Sequence, residues 1–192
     1  MKIFIIILLF PIALFSQKKY ELNCNPNILE TSRLMLLQEV GTKEKSGRND
    51  GKQIEKYLRS VGIKRPAPYC QAGQYWCFAE ACNMLEFDND SIPIQKSGLA
   101  ISSVRYAKKN GNRTKYKPAI DDLIVWKKSR NWQGHVERII YVGQKGWVLT
   151  VGFNTSNGKR GSQREGNGVY IRKRNILSGI GSLKIYGLVG FK

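Results

Sequence analysis

The periodicity of this chain changes at Pro118, and that change limits its fold more than any other feature. Before it, apolar residues recur at helical spacing. ILETSRLMLLQEV, residues 28–40, carries Ile28, Leu29, Leu34, Leu36, Leu37 and Val40, and Gly41 ends it. A second helix is expected over about 50–61, with Ile54, Tyr57, Leu58 and Val61 on one face and Gly62 as its stop. Prolines 66 and 68 hold an extended approach to a third helix over about 70–85, apolar throughout and so expected to be buried. A fourth covers Ile101 to Lys109 and closes at Asn110-Gly111. After Pro118 the runs IDDLIVW, GHVERIIYVG, WVLTVGF, GVYIRKR and LKIYGLVGF read as strands, separated by turn residues at 143–146 and 157–161. Helices followed by antiparallel strands predict an α+β domain, with helices packed on a sheet.

The first sixteen residues, MKIFIIILLFPIALFS, have one charge, at Lys2, and then an apolar stretch too short to span a bilayer comfortably. They have the layout of a secretory signal peptide cut near Ser16, with an uncleaved anchor as the competing reading. Residues 17–192 then form one domain, secreted or periplasmic. Cys24 follows the bulky Asn23 and lies beyond the apolar core, which argues against lipid attachment there. The formal charge is +18, or +17 without Lys2. An exported chain this basic is expected to adhere to polyanions, and charge alone does not choose among nucleic acid, polysaccharide, lipid headgroups and wall polymers.

Four cysteines, Cys24, Cys70, Cys77 and Cys82, accompany a single histidine, His135. Cys70 and Cys77 lie about 10 Å apart along a continuous helix, too far to join, and if Cys70 is a free nucleophile, Cys24 with Cys77 or Cys82 is the candidate bridge. Cys70 stands where the third helix begins. The partial positive charge of a helix start favours a thiolate, and its free N–H groups suit a developing oxyanion. A thiol nucleophile needs a base, and with one histidine that base is His135, which opens a strand in a Gly-His-Val step. Strand alternation turns its ring to the side of Glu137 and Ile139. Asn154, in VLTVGFNTSNG, is the candidate to orient the ring through its other nitrogen; Glu137, on the ring's own face, reads either as a carboxylate that helps orient it or, the favoured reading, as a solvated strand residue. Cys70, His135 and Asn154 are therefore the candidate catalytic set. One histidine without a CxxC pair or a nearby acidic cluster makes no metal-ligand set.

The run EVGTKEKSGRNDGKQIEKYLRSVGIKRPAPYCQAGQYWCFAEA, followed by AIDDLIVW, GHVERIIYVG, VLTVGFNTSNG and REGNGVYIRKR, resembles the CHAP branch of the NlpC/P60-type cysteine peptidoglycan hydrolases. The likeness runs from about Glu39 to the end of the chain. It implies a papain-like α+β fold and cleavage of a peptidoglycan amide bond, as an N-acetylmuramoyl-L-alanine amidase or a peptide endopeptidase, with no cofactor. The family's cysteine matches Cys70, its histidine matches His135, and its polar residue after the following strand matches Asn154. Two departures stand out. Gly152 takes the place of a glutamate that helps orient the histidine in many relatives, and Asp121 replaces a glycine.

In this reading His135 takes the proton of Cys70, and N–H groups at the helix start hold the oxyanion, with Tyr69 or Gln71 assisting. Peptidoglycan is the expected substrate, and anionic wall polymers are the partners of the basic surface. An immunity or inhibitor protein is a partner if the chain is an exported toxin; no specific nucleic acid is expected. Two rival readings are a wall or polyanion binder without turnover, suggested by the missing glutamate, and a secreted basic metal-dependent nuclease in which His135 activates water and Asn154 holds the ion.

Overall fold

The computed structural model describes residues 17–158 and 166–192, and the expected signal peptide, residues 1–16, lies outside them. The described chain is an α+β structure of four helices and a seven-stranded sheet. Its elements run β1 (Lys19–Leu22), α1 (Pro26–Gln38), α2 (Lys52–Ser60), α3 (Cys70–Met84), α4 (Ala100–Asn110), β2 (Asn112–Thr114), β3 (Leu123–Lys128), β4 (Gly134–Val142), β5 (Trp147–Thr155), β6 (Gly168–Asn175) and β7 (Leu183–Phe191). The sheet order is β2-β1-β7-β3-β4-β5-β6.

All ladders are antiparallel except β1 on β7. The expected order, helices first and strands afterwards, is thus incomplete. The segment after the expected cut, KYEL, is a strand that the C-terminal strand pairs with, so both ends of the described chain meet in one sheet. Lys19, inside that strand, is buried against Asp122 at 2.8 Å, and no apolar alternation marks such a position in the sequence.

Asn25 caps α1 by accepting from the Asn27 N–H, and Pro26 sits in its first turn. Its buried stripe is Ile28, Ser32 and Leu36, whereas Leu34 and Leu37, assigned to the apolar face from the sequence, are exposed. The reason is Arg138. This fully buried guanidinium donates to Ser32 Oγ at 2.9 Å, to the Leu29 carbonyl at 3.0 Å and to Asp121 Oδ1 at 3.0 Å, so the inward face of α1 is partly polar. Asp121 has φ +75°, the backbone region a glycine adopts freely, and it also accepts from Arg33 at 2.6 Å. An aspartate at this turn therefore anchors two arginines as well as shaping the backbone.

The third helix is buried along most of its length, as its composition implies. It lies between α1, α2 and one sheet face, where Val151, Phe153 and Val169 pack with Leu36, Ile54, Tyr57 and Trp76. The opposite sheet face carries Ile124, Trp126, Ile139, Val148 and Leu188, and it is covered by Ile176 and Ile180 from the β6–β7 connection, with Leu183 at the start of β7. No bridge joins Cys24 to Cys77 or Cys82, because all four cysteines are free thiols. Cys77 is sealed in the core beneath α2, while Cys24 and Cys82 border the core under α4.

Candidate active site

Two glycines bring the starts of α3 and α4 against the sheet. Gly73, one turn beyond Cys70, lies on the Phe153 ring, and a Cβ there would fall 2.3 Å from it. Gly134 immediately precedes His135, where a Cβ would stand 2.6 Å from the Trp126 carbonyl and 3.1 Å from Ile101. Strand β4 therefore meets the first turn of α4 backbone to side chain, at the residue before the histidine. The resulting cleft is walled by Pro68, Leu99, Ala100, Trp132, Gly134 and Asn154, and Cys70 opens into it.

Alternation along β4 turns His135 and Glu137 to the face opposite Val136 and Arg138, as the sequence indicates. Both are fully buried. The ring Nε2 and Glu137 Oε1 are 3.0 Å apart. Nδ1 has no hydrogen-bond partner in the described residues, which leaves it as the nitrogen available to the thiol. Burial disfavours the charged ring, but interactions with Cys70 and Glu137 outweigh that penalty and raise its pKa to about 9. The protonated ring is therefore favoured over that of a free imidazole, with the Glu137 carboxylate against Nε2.

Glu137 is the residue whose role the sequence understates. Far from being solvated, it accepts on both oxygens: Oε1 from the ring and from Arg174 Nη2 at 2.5 Å, Oε2 from Arg174 Nε at 2.8 Å and from Thr150 Oγ1 at 2.6 Å. Burial alone would favour the neutral acid, yet the fork of Arg174 together with His135 holds the carboxyl well below the usual range. In the β4–β5 ladder Glu137 lies directly opposite Gly152. A Cβ at 152 would stand 2.8 Å from Glu137 Cγ and Oε1. The carboxylate thus reaches the ring from β4, and the glycine on β5 leaves it the necessary room.

Asn154, expected to orient the ring, does not bond to it. It adopts φ +51° where the β5–β6 register shifts, and its amide N–H donates to Asn49 Oδ1 at 2.8 Å and to the Gly166 carbonyl at 3.1 Å. Its place is on the cleft wall beside Cys70, tied to the 44–50 loop. Tyr69 and Gln71 also differ from expectation, since neither lines the cleft. Tyr69 is buried, 5.9 Å from Tyr57 between ring centroids, and Gln71 accepts from Ser103 Oγ at 2.7 Å. The donors that remain for an oxyanion are the first-turn N–H groups of α3, which have no acceptor four residues back within the helix.

Among the four thiols, burial raises the pKa of Cys77 and Cys82 and pushes Cys24 to about 11. Cys70 differs from them in opening into the cleft. Sequence reasoning missed Arg174 and Thr150, and the alternation Ile171-Arg172-Lys173-Arg174 reads as a solvated edge. The signal present was Thr150 and Arg174 at inward register positions of β5 and β6. Comparison with models of protein families, with curated proteins and with solved structures gives no match.

Proposed function

We propose that this chain is a cysteine-dependent hydrolase of peptidoglycan amide bonds, an N-acetylmuramoyl-L-alanine amidase or a stem-peptide endopeptidase, on a papain-like α+β frame. One observation supports the hydrolase reading: His135 is fully buried and bonded to Glu137 with its other ring nitrogen unpartnered, and the residue before it lines the cleft into which Cys70 opens. The substrate class rests on the motif resemblance that spans Glu39 to the end of the chain. The ground for a non-catalytic binder was a missing carboxylate at Gly152, and Glu137 supplies one.

In the mechanism His135 holds the Cys70 proton, and Sγ attacks the carbonyl carbon while the first-turn N–H groups of α3 receive the oxyanion. Collapse of the tetrahedral intermediate breaks the C–N bond, and His135 gives its proton to the leaving amine. Water, deprotonated by His135, then cleaves the thioester and restores the thiol. Glu137 keeps the ring in one orientation through both stages, and Arg174 keeps Glu137 ionised.

Gels containing purified peptidoglycan are expected to clear with the parent protein and not with Cys70→Ala or His135→Ala. Mass analysis of released fragments separates free glycan strands with intact stems, an amidase, from shortened stems, an endopeptidase. Equal clearing by the variants would overturn the assignment.

A further inference from the structure

Beyond the helices, one sheet face continues into the open. Val151 and Phe153 of β5 are covered by α2 and α3, but Leu149 and Trp147, two and four residues before Val151 on the same side, have left that cover, and Trp147 is 45% exposed. The register places Tyr141 of β4 opposite Leu149 and Lys173 of β6 on its other flank. Tyr141 is 57% exposed, and the Lys173 ammonium lies 4.9 Å from the centre of the Trp147 indole, so a cation and a ring are presented as one unit. At the hairpin tip Lys145 holds φ +52°, where a glycine or asparagine would sit with less strain. Its carbonyl is tied to Asn175 Nδ2 at 3.1 Å, which fixes the tip against β6. The shallow groove between these residues is lined by two lysines and no carboxylate.

We propose that Tyr141, Trp147, Lys145 and Lys173 form a second binding surface, for an anionic glycan, at the end of the β4–β5 hairpin remote from Cys70. Half-exposed aromatic rings suit the flat apolar faces of sugar rings, and two ammonium groups without a competing acid suit the carboxylates or phosphates such a polymer carries. The chain's charge of +18 adds a long-range attraction to the same class of partner. The surface lies six residues along β4 from His135, about 20 Å at strand rise. A polymer can therefore rest here without entering the cleft, and the proposal goes beyond any activity of Cys70.

The test measures binding of the full chain carrying Cys70→Ala to polygalacturonate, which bears a carboxylate on every sugar, to neutral dextran, and to phosphatidylglycerol vesicles. Polygalacturonate binding is expected to fall at least tenfold in Trp147→Ala/Lys173→Gln and severalfold in Lys173→Gln alone. The distant pair Lys108→Gln/Lys109→Gln, at the exposed end of α4, is expected to change it less than twofold. Dextran should bind weakly. Equal losses in both pairs would reassign the binding to diffuse charge and overturn the proposal. So would dextran binding as strong as polygalacturonate binding, or capture by vesicles in preference to both polymers. Melting curves for each variant establish that a loss of binding is not a loss of fold, and Lys173→Gln, on an exposed side chain, keeps the test open if the pair unfolds. Parallel clearing assays in the Cys70 background report the catalytic reading separately.

Discussion

Replacing Glu137 by glutamine separates the charge of the site from its shape. The carboxylate receives four donors, two on each oxygen: His135 Nε2 and Arg174 Nη2 on one, Arg174 Nε and Thr150 Oγ1 on the other. A glutamine amide has one oxygen and one NH2, so in either orientation two donors face a donor. Arg174, buried to 6% exposure, also loses its counter-charge. Breaking a buried pair on one side costs about 3–5 kcal/mol. With a urea slope of about 2 kcal/mol/M for a domain of this size, the midpoint should fall by roughly 1.5–2.5 M. The assay is equilibrium urea unfolding followed by tryptophan fluorescence, with clearing activity measured in parallel. Activity is expected to fall on the order of a hundredfold or more, because the imidazole loses the group that fixes its orientation. Glu137→Gln/Arg174→Met removes the stranded cation and should recover about 1–3 kcal/mol relative to the sum of the single changes, but no activity. A Glu137→Gln protein within about 1 kcal/mol of the parent would refute the assignment of the four donors.

Other perturbations test the rest of the design. The folded pKa of His135, about 9, lies above its ordinary 6.5, so the folded state holds the extra proton between those values. This stabilisation, about 3 kcal/mol, is complete below about pH 6.5 and is lost as pH rises through 9; urea midpoints from pH 6 to 9.5 should show that fall, reduced in Cys70→Ala, and a flat profile would contradict it. Gly73→Ala places a Cβ 2.3 Å from the Phe153 ring and should cost about 1–3 kcal/mol or more in urea unfolding as α3 lifts, with activity falling because Cys70 moves with the helix. Asp121→Gly relieves a φ of +75° but strips Arg138 of its carboxylate; a net loss of about 3–5 kcal/mol is expected in thermal or urea unfolding, and a stabilised variant would show that backbone strain dominates.

The sequence conveyed the helices to within one or two residues at most ends, because their apolar stripes, glycine stops and proline approach act locally. It conveyed the strands after Pro118 through alternation. Where it failed, buried charge was the cause. Glu137 reads as solvent-facing, and Ser32 on the inner stripe of α1, Lys19 inside β1 and Arg174 beneath Glu137 carry no local mark of burial, since hydrophobicity does not mark a buried polar group unless its partner is known. Partners 37 or 106 residues apart in sequence, as for Glu137–Arg174 and Ser32–Arg138, leave no local trace. Cys70 and His135 stand out as candidates because few residue types can do thiol chemistry and the chain has one histidine. The inference that Asn154 orients the ring followed from strand order and the motif resemblance, and the register shift at the end of β5 turns its amide toward the 44–50 loop instead.

The opposition of Glu137 and Gly152 also restricts how this chain can vary through time. Any side chain acquired at 152 while Glu137 is present enters occupied space, and a small residue at 137 while Gly152 is present leaves Arg174 facing a void. Each single step is therefore harmful, and only a paired exchange carries the carboxylate from one strand to the other. Lineages that keep a charge beneath the histidine should be divided by this barrier into two groups, with a glutamate at one position or the other and seldom at both.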